Sequence, residues 1–176
     1  MTKIIAELCQ NHMGDKFLLD EMVSAASEAG ANYCKIQSIQ SKDLTHRKRF
    51  DTGLIEGGIT KVIKRPYKIE IKRLRPLDLG DDDHYLFLEL CKKFKIEPLT
   101  TIFNRSRLEF LSKLKLKAIK IASFDCASFE LLKDISKSNF KKIYLSTGAT
   151  YDSEIIQAKK ILSKKDLTIL HCISIY

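Results

Sequence analysis

Short β-branched runs alternate with amphipathic helical stripes along the whole chain, and polar residues collect at the ends of those runs. No Gly-x-Gly-x-x-Gly turn follows the first run. Alternation predicts a parallel sheet with right-handed crossovers. Polar residues contributed by several strand ends favour a barrel, whose catalytic face is built that way, over an open dinucleotide-binding sheet. The predicted fold class is therefore α/β, a (βα)8 TIM-type barrel, incomplete here with about six strands present.

Residues 4–8 read as the first strand. Residues 16–29 place Leu18, Leu19, Met22, Val23, Ala25, Ala26 and Ala29 on one helical stripe, with Asp15 to cap its start and Gly30 to end it. Residues 33–37 form the second strand. The segment 38–80 is too long for a plain connection, and Gly57-Gly58, Arg65-Pro66 and Arg75-Pro76 predict turns within a functional excursion or small hairpin. Asp81, Asp82 and Asp83 open a helix reaching about residue 94, with carboxylates at its positive end. Strands follow at 97–101, 118–122, 142–145 and 167–172, separated by helices at 106–114, 129–136 and 152–162.

Composition narrows the function. A chain of 176 residues can bury one sizeable core, and 44% hydrophobic with 30% charged residues is ordinary for a globular protein. No apolar run approaches the roughly 18 residues of a membrane span, and Glu7 interrupts the short apolar start, so a cytoplasmic protein without a membrane partner is expected. Cys9, Cys34, Cys91, Cys126 and Cys172 contain no Cys-x-x-Cys pair, which argues for reduced thiols and against a disulfide framework or structural zinc. His12, His46, His84 and His171 are scattered, so a metal site made only from this chain is not expected. The net charge of +9 is concentrated in residues 42–75, where eleven Lys or Arg face four acids. No nucleic-acid-binding signature accompanies them, so a loop attracting anionic substrates, or a solvated basic loop, is expected rather than a nucleic-acid partner.

Lys35 in Tyr-Cys-Lys-Ile-Gln and Lys120 in Ala-Ile-Lys-Ile-Ala-Ser each interrupt an apolar strand. A buried ammonium needs an anionic partner, and two on separate strands predict a site for phosphate or carboxylate. A lysine snorkelling to a strand end is the alternative for either one alone. Ser146-Thr147-Gly148 after a strand offers a hydroxyl and backbone amides as a phosphate cradle, or a cap for the helix that follows.

Six segments, taken in order, resemble one known family. They are Ile-Ile-Ala-Glu7-Leu-Cys-Gln-Asn11-His12-Met-Gly14-Asp15, Ala-Asn-Tyr-Cys-Lys35-Ile-Gln37 and Glu-Pro-Leu-Thr-Thr101-Ile-Phe103. Ala-Ile-Lys120-Ile-Ala-Ser123-Phe-Asp125, Leu145-Ser146-Thr147-Gly148 and Leu-His171-Cys-Ile-Ser174-Ile-Tyr176 complete the set. Across essentially the whole chain they resemble the N-acetylneuraminate (sialic acid) synthase family. The resemblance implies condensation of phosphoenolpyruvate with an N-acylated amino sugar to a sialic-acid-like nonulosonic acid, with release of phosphate. It implies that Lys35 and Lys120 bind the phosphate or carboxylate of phosphoenolpyruvate, helped by Thr101, Ser123, Ser146 and the Gln37 amide. Glu7 would orient the reacting carbons or a water, or relay a proton. Asp125 stands where relatives often carry Glu and would be the second catalytic acid. Ser174 stands where some members carry Asn, and Tyr176 would face the sugar. His12 is read as a hydrogen-bonding residue of the first loop, and His171 as core or just behind the site.

The resemblance further implies a divalent cation, manganese or magnesium, whose histidine ligands lie beyond Tyr176, none being identified in this chain. Residues 1–176 thus read as the amino-terminal portion of a barrel synthase, without its last strands and its antifreeze-like domain. A full-length protein is expected to be a homodimer. Two alternatives stay open: an inactive or split fragment of such an enzyme, and another phosphate-binding barrel synthase or aldolase in which Lys120 forms a Schiff base.

Overall fold

The structure, a computed structural model, describes residues 2–174. In chain order it contains β1 (Ile5–Cys9), α1 (Lys16–Glu28), β2 (Tyr33–Ser38), α2 (Arg49–Thr52), β3 (Leu54–Glu56), β4 (Ile59–Val62) and α3 (Tyr67–Leu74). The remainder runs α4 (Asp81–Lys93), β5 (Glu97–Ile102), α5 (Leu108–Lys113), β6 (Ala118–Ile121), α6 (Phe129–Lys137), β7 (Lys142–Ser146), α7 (Asp152–Ile161) and β8 (Asp166–Leu170). Local chemistry sets the helix ends. The Asp15 carboxylate accepts from the Phe17 and Leu18 amides at 2.8 and 3.3 Å, satisfying donors that α1 cannot use itself.

Six strands pair in parallel in the order β1-β2-β5-β6-β7-β8. The order follows the chain without the reversal that marks a doubly wound sheet, so the winding is that of a barrel. Packing agrees. On the outer face Cys34 and Ile36 meet Leu19 and Val23 of α1 and Phe87 and Leu90 of α4. Ile119, Ile121, Ile143 and Leu145 pack outward against α5, α6 and α7. The inner face has its own cluster of Tyr33, Leu99, Ala118 and Tyr144. The barrel is incomplete, with β1 and β8 as the edges of the six-stranded sheet. Among the described residues no helix is long and apolar enough to cross a membrane.

The excursion after β2 contains the expected hairpin, β3 paired antiparallel with β4. Gly57 and Gly58 take φ of 56° and 77°, the left-handed pair that a tight two-residue hairpin turn requires. The excursion is tied down at both ends. Ser41 donates from its amide and hydroxyl to the Asp78 carboxylate at 2.8 and 2.6 Å, and Asp51 accepts from the Tyr67 amide at 2.9 Å. Its far end meets the β1–α1 loop at Gly14, where a Cβ would lie 2.0 Å from the Pro76 carbonyl oxygen. Only glycine permits that approach, and its φ of 79° requires glycine's freedom as well.

Candidate functional site

A strand repeats every two residues, so one face carries Ile5 and Glu7, another strand's face Tyr33, Lys35 and Gln37, and the next strands Leu99 with Thr101, Ala118 with Lys120, and Tyr144 with Ser146. The first member of each series belongs to the apolar inner cluster around Tyr33, Leu99, Ala118 and Tyr144. The next member, roughly 6–7 Å further along the strand, is polar. The barrel therefore has an apolar plug with a polar layer above it, at the carboxyl ends of the strands.

Within that layer Glu7, Lys35, Thr101 and Lys120 meet. Lys35 Nζ lies 3.0 Å from Glu7 Oε2 and donates to Thr101 Oγ1 at 3.0 Å. Lys120 Nζ lies 3.5 Å from Glu7 Oε1. Lys35 is 1% exposed whereas Glu7 keeps 43%, so the carboxylate is the outward-facing member. Burial acts to raise the Glu7 pKa, but the two ammonium groups and hydrogen bonds from Lys35 and Cys9 outweigh it and hold the group below the usual glutamate value. One carboxylate thus faces two ammoniums, leaving an excess positive charge suited to an anion.

Cys9 is a member of this cluster that sequence reasoning missed. Its thiol donates to Glu7 Oε2 at 3.2 Å and lies 3.9 Å from Lys35 Nζ. The β1–β2 register shifts between Glu7 and Cys9, and Cys9 has φ of 52°, unusual for a residue with a side chain. This bulge re-aims the end of β1 beside the cluster, as bulges often do near functional sites. Nothing in the local sequence announces a bulge, since the strand pattern runs through it.

Ser123, Gly148 and Ser174 form a second group. The Gly148 amide donates to Ser123 Oγ at 2.9 Å. A Cβ at Gly148 would lie 2.4 Å from Ser174 Oγ and 3.1 Å from Ser123 Oγ, so glycine lets the backbone reach both hydroxyls. Ser146 is buried, and its hydroxyl has no hydrogen-bond partner among the described residues. Ser146 and Thr147 do not cap α7: Thr147 donates to the Leu170 carbonyl at 3.0 Å, and Glu154 accepts from the Tyr151 amide at the helix start. Gln37 sits in register with Thr101.

Asp125 does not join Glu7. It ends the single 3-10 turn Ser123–Asp125 after β6 and lines a cleft of about 680 Å³ between the excursion and the strand ends. Its Oδ1 accepts from Ser128 at 2.9 Å, its Oδ2 has no partner among the described residues, and burial raises its pKa. Also missed were the cations of this cleft, Arg47, Arg49, Lys61 and Arg65, although the basic run 42–75 was the signal for them. His12 has the expected structural role, with Nδ1 accepting from the Gly14 amide at 3.0 Å. His171 is exposed, contrary to the expectation that it lies in or behind the core, because the chain leaves the sheet after Leu170. Tyr176 lies outside the described residues.

Among the described residues no group of three or more His, Cys, Asp or Glu side chains could hold a metal ion. The carboxylate at the mouth, Glu7, is already shared by two ammonium groups, whose charge repels a dication. These described residues do not fit the divalent cation.

The comparisons agree with this architecture. N,N'-diacetyllegionaminic acid synthase of Campylobacter jejuni is 32% identical over 188 residues, covering 99% of this chain and 52% of that protein. Pseudaminic acid synthase of Helicobacter pylori is 29% identical, covering 99% of this chain and 50% of that protein. The solved N-acetylneuraminic acid synthetase of Leptospira borgpetersenii, in complex with citrate, superposes with a TM-score of 0.83 at 28% identity, over 98% of this chain and 54% of that one. The phospho-2-dehydro-3-deoxyheptonate aldolase of Thermotoga maritima, with a TM-score of 0.64 at 15% identity over 95% of this chain and 40% of that one, shares the fold. The chain spans about half the length of the curated relatives it matches. The NeuB family model matches residues 22–176, and with the barrel winding and the strand-end lysines the conclusion follows: the chain belongs to the NeuB family.

Proposed function

We propose that this chain supplies the phosphoenolpyruvate-binding part of a nonulosonic acid synthase, which joins phosphoenolpyruvate to an N-acylated amino sugar and releases phosphate. The observation that carries this reading is the pair of lysines, Lys35 and Lys120, held over the apolar plug by one carboxylate. Phosphoenolpyruvate carries a phosphate and a carboxylate, so it suits a site with excess positive charge and several hydroxyl donors. The names of the relatives, legionaminic and pseudaminic acid synthases, support the product class.

In the proposed reaction the methylene carbon of phosphoenolpyruvate attacks the aldehyde carbon of the open-chain sugar, forming the new C–C bond. Water adds at the second carbon, and the C–O bond to phosphate breaks. Lys35 and Lys120 hold the anionic groups and offset charge building on the departing phosphate. Thr101, Ser123 and Ser146 donate to its oxygens. The Ser146 hydroxyl, without a partner among the described residues, suits that task. Glu7, kept ionised by its two lysines, orients water or relays a proton at the reacting carbons.

Isothermal titration of phosphoenolpyruvate into the chain tests the reading. Binding that Lys120→Ala removes is expected; absent binding, or binding indifferent to Lys120→Ala, would overturn it. Borohydride reduction in the presence of pyruvate adds a check, because a trapped adduct on Lys120 would mean an imine-forming aldolase instead.

A further inference from the structure

The hairpin of β3 and β4 stands off the barrel. Every residue from Leu54 to Lys61 is exposed, and neither strand joins the apolar clusters beneath the helices or inside the barrel. Leu54, Ile55 and Ile59 stay 45%, 70% and 61% exposed. Cross-strand pairing puts Ile55 with Thr60 on one face, and Leu54 with Val62 and Glu56 with Ile59 on the other. Both faces of the tip therefore carry aliphatic side chains, and none of residues 54–60 lines the cleft that the same excursion helps to form. A two-stranded hairpin is at best marginally stable alone in water, and large aliphatic groups gathered on an exposed one mark an interaction surface.

Charge around the tip narrows the occupant. Residues 48–68 contain six Lys or Arg against two acids. Lys48, Arg49, Lys61, Lys64, Arg65 and Lys68 are all exposed, and among the described residues none of them forms an ion pair. Of the two acids, Asp51 is held by His46 and the Tyr67 amide at 2.7 and 2.9 Å, and Glu56 sits at the tip. A second copy would bring the same positive charge and be repelled. A nucleic acid would meet the cations but leave the aliphatic groups in water. A rigid protein covers one face of a two-sided tip, whereas a fluid surrounds both. We infer that the hairpin docks this chain on an anionic lipid surface. Leu54, Ile55 and Ile59 sit at the boundary of headgroups and acyl chains, and the flanking lysines and arginines meet lipid phosphates. Glu56 keeps the tip at that boundary, because a carboxylate is costly in hydrocarbon. The expectation of no membrane partner came from the lack of a spanning run, and docking at the surface needs no span.

Flotation of the chain with vesicles of phosphatidylcholine, and of phosphatidylcholine mixed about three to one with phosphatidylglycerol, tests the inference. Partitioning onto the mixed vesicles is expected to be at least about tenfold stronger. The double variant Ile55→Thr, Ile59→Thr keeps β-branched side chains, and with them the strand preference, but removes aliphatic surface. It should weaken partitioning at least about tenfold. Unchanged thermal unfolding of this variant would show that the lost contact is the tip's own. The double variant Lys48→Gln, Lys64→Gln should weaken partitioning about 10- to 30-fold and flatten its dependence on salt. Absent binding to the mixed vesicles, or equal binding to both kinds, overturns the inference. So does binding that the threonine variant leaves intact, because the cations or the open sheet edges alone would then hold the lipid. A single-stranded RNA oligomer bound through Lys48 and Lys64 while vesicles are ignored would assign the surface to nucleic acid instead. A dimer seen in sedimentation velocity and dissolved by the threonine variant, again without vesicle binding, would assign it to a second copy.

Discussion

The two groups of cations at the barrel mouth obey different physics. Lys35 is buried, and Glu7 with Thr101 offsets the cost of that burial, since an unpaired buried charge costs several kcal/mol. Arg47, Arg49, Lys61 and Arg65 stay at the surface, where water solvates them without a partner. The lysine group is consequently built into the fold, held by Glu7, Thr101 and Cys9 before any ligand arrives. The arginine group is available to whatever anion the excursion meets. The contrast shows how one barrel face can separate a fixed site from an adjustable one.

The largest expected effect separates the groups by affinity. Lys120→Ala should weaken phosphoenolpyruvate binding by about 10- to 100-fold, from the roughly 1.5–3 kcal/mol of a hydrogen bond to a charged group. Titration calorimetry reads it, and a loss below about threefold would place the anion elsewhere. Glu7→Gln should act on the fold instead. It leaves two ammoniums unpaired and should lower stability by about 1–3 kcal/mol in denaturant unfolding, less than the roughly 3–5 kcal/mol of a fully enclosed pair because Glu7 is 43% exposed. Phosphoenolpyruvate should bind this variant at least as well, and weaker binding would break the comparison.

Salt should sharpen it. Raising ionic strength from about 0.1 M to about 1 M cuts the screening length from about 10 Å to about 3 Å, so anions at the exposed arginines should lose more affinity than phosphoenolpyruvate at the lysines. Parallel losses in titrations at the two salt concentrations would argue against two distinct sites.

pH should distinguish Glu7 from Asp125. The Glu7 pKa is lowered in the fold, so its contribution is complete above the ordinary value of 4.5 and is lost as pH falls through the lowered one. The Asp125 pKa is raised, so its contribution is complete below the ordinary 3.8 and is lost as pH rises through the raised value. Thermal unfolding across acid pH should show Glu7→Gln flattening the acid-side loss and Asp125→Asn flattening the opposite one. Unchanged profiles in both would contradict these environments. Ser146→Ala should have the smallest effect: stability changed by no more than about 1 kcal/mol, because its hydroxyl bonds to nothing among the described residues, and phosphoenolpyruvate affinity lowered by about two- to tenfold.

Much of this was legible in the sequence, because its causes are local. The period of two in Tyr33-Cys34-Lys35-Ile36-Gln37 marked a strand with polar residues on one face, and Asp15 and Gly30 marked the ends of α1. Gly57-Gly58 marked the hairpin turn. The lysines inside apolar runs pointed to an anion site because burying a charge is costly wherever it occurs. Tertiary structure alone decided the partnerships. Glu7 meets Lys35 and Lys120 across 28 and 113 positions of chain, and no pattern within a strand encodes which neighbour lies beside it. The bulge at Cys9, the turn that directs Asp125 into the cleft, and the folding of the basic excursion over that cleft were likewise hidden. Sequence by itself determined the elements and which residues had to find partners. Sheet order and the return of the excursion chose those partners, because contacts between distant residues depend on how the elements pack and not on what each element is.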